Sequence, residues 1–201
     1  ILVLRYFGSA TRANTRLRGL ARLGLVKRHD TQFYSQGLYI PGPRAGEVVG
    51  ERIARIIEGR CGTPRFLQHA LSVTNVRIAL LRKADGQWRY EQQRWRASDE
   101  SPRFEVRPDG LFLASSPIFV EVDLGHVAPA KFAEKLRSYA RLVVSGCCES
   151  FYGFPTFRLL TVTTGSLRAR HLRRLLPHDA GFEHLVQTFE EVGAAPISSW
   201  S

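Results

Sequence analysis

The sequence predicts an α/β protein in two parts, a basic helical segment near the N-terminus and a longer mixed-sheet domain. Apolar residues recur at helical spacing in some segments, and these segments alternate with short runs rich in branched residues. Pro41-Gly42-Pro43 and the stretch from Gly59 to Pro64 interrupt this pattern. We therefore expect domains over about 1–60 and 61–201. Because the chain contains no methionine, even at position 1, we expect the first domain to lack an upstream part.

The composition favours an anionic partner. The chain has 29 Lys and Arg against 18 Asp and Glu, a formal net charge of +11, which suits nucleic acid or a membrane surface. No apolar run approaches the ~20 residues that span a bilayer, and the three cysteines form no CxxC pair. We expect a cytoplasmic protein with double-stranded DNA as its partner and no membrane partner. Homodimer formation stays open.

The first predicted helix runs from about Ala10 to Leu23 and carries a basic surface. Ser9 can cap its N-terminus, and Gly24 stands where a C-terminal glycine is preferred. One apolar stripe contains Ala10, Ala13, Leu17, Leu20 and Ala21. The rest of the helix and the following strand supply the predicted DNA-binding residues, which are Arg12, Thr15, Arg16, Arg18, Arg22, Lys27 and Arg28.

Two short predicted strands, Leu25–His29 and Phe33–Ile40, follow this helix, and a second helix covers about Glu47 to Glu58. A helix followed by two strands is the winged helix-turn-helix pattern, in which the helix enters the major groove and the strands form a wing against the DNA backbone. The alternative is an amphipathic helix with a solvated basic face.

The second part begins with a long predicted helix and continues with strands and helices in alternation. The order predicts a mixed sheet, and the tail after His178 shows no clear pattern. The predicted elements are a helix Pro64–Leu81, strands Trp88–Arg96, Arg103–Val106, Leu111–Leu113 and Ile118–Leu124, a helix Ala130–Val144, a strand Phe157–Thr164, and a basic helix Ser166–Leu176.

Three acidic residues, Asp109, Glu121 and Asp123, form the main candidate site. Alternate residues of a strand share a face, so Glu121 and Asp123 are expected opposite the apolar residues of the same strand. Two carboxylates on one face imply a cation, a basic partner or open solvent. Asp109 precedes this strand in a hairpin with its turn near 114–117 and can lie beside the pair. A one-residue change of register would turn Asp109 away.

An Asp followed some twelve residues later by Glu-x-Asp resembles the PD-(D/E)xK nucleases, which have a restriction-endonuclease-like fold. The resemblance implies that Asp109, Glu121 and Asp123 hold Mg²⁺ or Mn²⁺ for phosphodiester cleavage. Asp123 stands where these nucleases usually have a lysine. Lys135, on the next helix with Lys131 one turn earlier, can replace that lysine as a catalytic residue.

A series of short motifs extends this resemblance from about Leu4 to Val162: Gln68-His69-Ala70-Leu71, the strand containing Trp88, Pro108-Asp109, Phe119 to Asp123, Lys135-Leu136-x-x-Tyr139 and Phe154-Pro155. Together they resemble the replication-relaxation family. The resemblance implies DNA association in plasmid or mobile-element replication, with a winged helix joined to a nuclease-like domain. Two functions that involve DNA stay open, a Mg²⁺-dependent DNA nickase or endonuclease, and a non-enzymatic DNA-binding replication or transcription regulator with an inactive nuclease fold. A third alternative is a membrane-surface protein attracted by its charge alone.

Overall fold

The computed structural model describes residues 6–29, 37–51, 55, 64–90, 94–97, 104–176 and 179–194. The chain divides into two compact units, Ile1–Leu71 with Ile197–Ser201, and Ser72–Pro196. Among the described residues, no helix is long and apolar enough to cross a membrane.

The first unit contains a helix, a two-stranded hairpin and a short second helix. Helix α1 (Ala10–Arg22) begins after Ser9, whose Oγ accepts a hydrogen bond from the Arg12 backbone N–H at 3.3 Å. The backbone at Gly24 is left-handed, with φ +73°, so the predicted cap and the predicted end of this helix are both confirmed.

Strands β1 (Val26–His29) and β2 (Leu38–Pro41) form an antiparallel hairpin. A Cβ atom at Gly42 would lie 2.3 Å from the Gly24 carbonyl oxygen, so this close crossing of the chain requires glycine. Residues 33–36 of the longer strand predicted here lie outside the described residues.

Helix α2 (Gly46–Val49) ends at Gly50, where φ is +85°. Glu51 and Arg55 are also helical, whereas the other residues predicted for this helix after position 51 lie outside the described part of the chain.

The second unit is built on a mixed sheet with helices on its two faces. Helix α3 starts in the first unit and leads into it. The elements in chain order are α3 (Pro64–Lys83), β3 (Gln87–Tyr90), β4 (Trp95–Arg96), β5 (Glu105–Val106), β6 (Gly110–Leu113), β7 (Pro117–Asp123), α4 (Pro129–Val144), α5 (Cys147–Tyr152), β8 (Arg158–Thr163), α6 (Ser166–Arg173), β9 (Glu183–Thr188) and α7 (Phe189–Val192).

Five strands pair in the order β3-β6-β7-β8-β9. The pairs β3–β6 and β6–β7 are antiparallel, and the pairs β7–β8 and β8–β9 are parallel. The predicted mixed sheet is therefore confirmed, and β4 and β5 form a separate two-stranded ribbon. The sequence analysis predicted neither α5, β9 nor α7.

Strand β7 contributes to two hydrophobic clusters, one on each face of the sheet. Phe119 packs with Leu136 and Tyr139 of α4 and with Leu172 of α6, whereas Val120 packs with residues of α3 and α7. Because side chains alternate along a strand, Glu121 and Asp123 share the face of Phe119. Both acids therefore lie under helices α4 and α6.

Candidate functional site

The hairpin register places Asp109 directly beside the strand that carries Glu121. Gly110 pairs with Val120, and the Asp109 backbone N–H donates to the Val120 carbonyl at 3.0 Å. The Asp109 Oδ2 atom accepts a hydrogen bond from the Val122 backbone N–H at 2.8 Å. Asp109 is thus held at the edge of β7, next to Glu121, by its backbone and by its side chain.

The Glu121 carboxylate is buried and is bound by two side chains of helix α4. The residue is 2% exposed. The Tyr139 hydroxyl donates to Glu121 Oε1 at 2.6 Å, and the Lys135 ammonium forms an ion pair with Glu121 Oε2. Residues four apart lie one above the other on a helix, so one face of α4 supplies a donor to each oxygen.

Burial decides the electrostatics of this group. It raises the pKa of Glu121 to about 7, against the opposing effect of Lys135, and the nearby negative charge of Asp109 raises it further. Burial also acts to lower the pKa of Lys135, but the charges of Glu121 and Asp109 outweigh this effect and the pKa is raised. Lys135 therefore stays charged. Burial and the Glu121 charge raise the pKa of Tyr139 well above its usual value, so its hydroxyl stays a donor.

Asp123 lies on the same face of the sheet but has its own cationic partner. It is 2% exposed, and Arg168 of α6 donates to its two oxygens at 2.7 and 3.2 Å. Thr163 of the neighbouring strand donates to Asp123 Oδ2 at 3.0 Å. Arg168 also donates to the Val127 carbonyl at 2.6 Å, so this guanidinium joins α6, the end of β7 and the loop before α4.

The structure brings three of the four predicted catalytic residues together, with Tyr139 beside them, and places the fourth against Arg168. Asp109, Glu121 and Lys135 form the first group, which we call the carboxylate–lysine group. Within the described ranges, no set of three or more His, Cys, Asp or Glu side chains is arranged to hold a metal ion. The alternative of a solvated acidic sheet face is wrong, because Glu121 and Asp123 are both buried.

The sequence analysis missed the role of Arg168, which it placed with the other arginines of a basic helix. The sequence signal that could have identified this role is that Arg168 follows β8, which is parallel to β7. Parallel neighbouring strands end at the same side of a sheet, so Arg168 is brought close to Asp123 at the end of β7. It also missed a partly buried polar contact between the Thr161 hydroxyl and the His184 ring, at 2.9 Å. Burial lowers the pKa of His184 to about 4, and its ring stacks on Phe132.

The predicted DNA-binding residues of the first unit are all exposed. Ala13 is buried on the opposite side of α1, and Leu17 and Leu20 are half-buried, whereas Ala10 and Ala21 of the predicted stripe are exposed. We call the exposed set the basic surface: Arg12, Thr15, Arg16, Arg18 and Arg22 of α1, with Lys27 and Arg28 of β1.

The replication-relaxation family matches residues 2–156 of the chain. The chain belongs to this family. The match includes the basic surface, the carboxylate–lysine group, Tyr139 and Asp123, whereas Arg168 lies beyond it. Membership suggests a role in the replication or relaxation of plasmids or mobile elements. Searches of curated proteins and of solved structures return no significant match.

Proposed function

We propose that this replication-relaxation protein binds duplex DNA through the basic surface, with α1 and the β1–β2 hairpin acting as a winged helix. The observation that carries the proposal is the exposure of all seven of these residues on one helix and its adjacent strand. Arginine and lysine at such a surface neutralise phosphates and release counterions. An α-helix also fits the major groove, where Arg and Thr reach base edges.

The test compares two variants that each remove two positive charges. Arg12→Ala with Arg16→Ala changes the basic surface, and Arg89→Ala with Arg137→Ala changes two exposed arginines of the second unit. Fluorescence anisotropy with a labelled duplex should show a clear loss of affinity for the first variant and a small loss for the second. Equal losses would attribute binding to net charge, and no loss in the first variant would refute the proposal.

We further propose that the second unit is a PD-(D/E)xK-like domain that nicks or cleaves DNA with a divalent cation. The observation that favours this activity is the carboxylate–lysine group, in which two carboxylates and an ammonium lie together beside the central strand β7 of a mixed sheet. Magnesium is commonly bound by one or two carboxylates together with substrate phosphate oxygens. Asp109 and Glu121 fit that donor set. They do not fit a cage made by protein alone, since the described residues contain no third ligand grouped with them.

Each residue of the site has a distinct role in this proposal. The ion, when bound, would supply a Lewis acid for the scissile phosphate. Asp109 and Glu121 would hold it, and Tyr139 would keep Glu121 in one orientation through its hydrogen bond. The Lys135 ammonium would offset negative charge on the phosphate. Asp123, the third predicted ligand, reaches an ion only where Arg168 releases it, because Arg168 binds its two oxygens.

A plasmid assay tests the activity. Supercoiled plasmid should be nicked only with Mg²⁺ or Mn²⁺, and Glu121→Gln should abolish nicking. Glu134→Gln is the matched control, because Glu134 is an exposed acid of α4 and should retain activity. Absence of nicking with every metal and DNA form would leave the non-enzymatic DNA-binding regulator as the function. The bonding of both Glu121 oxygens to protein donors favours that second candidate.

A further inference from the structure

The proposed metal site already contains a cation that belongs to the protein itself, the ammonium group of Lys135. The Lys135 ammonium forms an ion pair with Glu121 Oε2, and Asp109 is held next to Glu121 by its hydrogen bonds to Val120 and Val122 of β7. An ammonium group and a divalent cation compete for the same carboxylate oxygens. One cannot approach Glu121 Oε2 closely while the other remains there.

Lys135 is the part of this arrangement that can move. Its side chain is 36% exposed, whereas that of Glu121 is 3% exposed. Glu121 lies on a central strand and is held by Tyr139. A lysine ammonium sits on a flexible four-carbon chain and is strongly hydrated. Departure of the ammonium toward solvent or a phosphate therefore requires only side-chain rotation.

We propose that Lys135 is a built-in counter-ion, which a divalent cation must displace from Glu121 before it can bind. This inference rests on the proposed metal site at Asp109 and Glu121. It follows that the DNA-free protein binds divalent cations weakly. A phosphate that draws the ammonium away strengthens cation binding, and by linkage the cation strengthens phosphate binding to the same extent.

The experiment measures Mn²⁺ binding to the whole chain without DNA, by the electron paramagnetic resonance signal of free Mn²⁺ at about pH 8. The variants are Lys135→Met and Lys131→Met, the second removing an exposed lysine one turn earlier on α4. We expect Lys135→Met to bind Mn²⁺ at least about tenfold more tightly than the unaltered protein. Lys131→Met should bind like the unaltered protein. Adding Glu121→Gln to Lys135→Met should remove the gain. Lys135→Gln replaces Lys135→Met where circular dichroism shows that the latter does not fold.

Two negative outcomes differ in meaning. If the unaltered protein binds Mn²⁺ and Lys135→Met binds it equally or less tightly, displacement is refuted while the metal site stands. If neither binds Mn²⁺, with or without duplex DNA, the metal site and this inference fail together. DNA binding by the basic surface would be unaffected. An increase in Mn²⁺ affinity on adding DNA to the unaltered protein, absent in Lys135→Met, would support the phosphate's part in the exchange.

Discussion

The free energy of unfolding should decrease as pH rises, because Glu121 keeps its proton to a higher pH in the folded state than in the unfolded state. Burial raises its pKa from an ordinary 4.5 to about 7, so between these values the folded state keeps a proton that the unfolded state has lost. The contribution is fully present below about pH 4.5 and is lost as pH rises through about 7. At about 1.4 kcal/mol per pKa unit this is about 3 kcal/mol in full.

The measurement is the free energy of unfolding in urea, in buffer with a chelator, for the unaltered protein, Glu121→Gln and Glu134→Gln. Between about pH 5 and pH 8, the unaltered protein should lose about 2–3 kcal/mol relative to Glu121→Gln, because glutamine does not titrate. Glu134→Gln should follow the unaltered protein, since Glu134 is exposed. A difference between the unaltered protein and Glu121→Gln that is constant with pH would refute the raised pKa of Glu121 in the folded state.

Two further predictions concern stability, measured by urea unfolding. Arg168→Ala should lower the free energy of unfolding by about 3–5 kcal/mol, because it leaves the buried Asp123 carboxylate without its cation. Arg170 is exposed on the same helix, so Arg170→Ala should have little effect. Equal effects of the two substitutions would contradict the importance of the Arg168–Asp123 pair. Gly110→Ala should lower the free energy of unfolding by about 1–3 kcal/mol, because the new Cβ would lie 1.9 Å from the Trp88 ring. In α1, a Cβ at Gly19 meets nothing within 4 Å, so Gly19→Ala should stabilise the fold by up to about 1 kcal/mol. No loss of stability in Gly110→Ala would contradict the packing of Trp88 against Gly110.

The features that the sequence predicts well depend on local periodicity. The alternation in β7 assigns Val120 and Val122 to one face and Glu121 to the other, and the structure confirms this. The cap at Ser9 follows from hydrogen-bonding rules that act within one turn. The placement of Lys135 and Tyr139 toward one site follows from their four-residue spacing on a helix.

The features that the sequence does not predict depend on contacts between distant segments. Asp123 and Arg168 are 45 residues apart, and no local pattern distinguishes this half-buried arginine from the exposed Arg170 of the same helix. Strand β9 has apolar Leu185 and Val186 in succession, with one packed on each face of the sheet. Its short run therefore lacks the alternation of a half-buried strand. The hairpin register that brings Asp109 to Glu121 likewise depends on which residues of β6 and β7 pair. The alternation of apolar and polar residues along each strand does not determine this pairing.

The salt dependence of duplex DNA binding shows whether the basic surface contacts phosphates. If the basic surface contacts phosphates, log K should fall linearly with log salt, by about 0.9 per phosphate neutralised, and Arg12→Ala with Arg16→Ala should reduce the slope by about 1.8. The control with Arg89→Ala and Arg137→Ala should keep the slope of the unaltered protein. We expect a steep slope that only the first variant reduces. A flat slope, or the same slope in all three proteins, would contradict DNA binding by this surface.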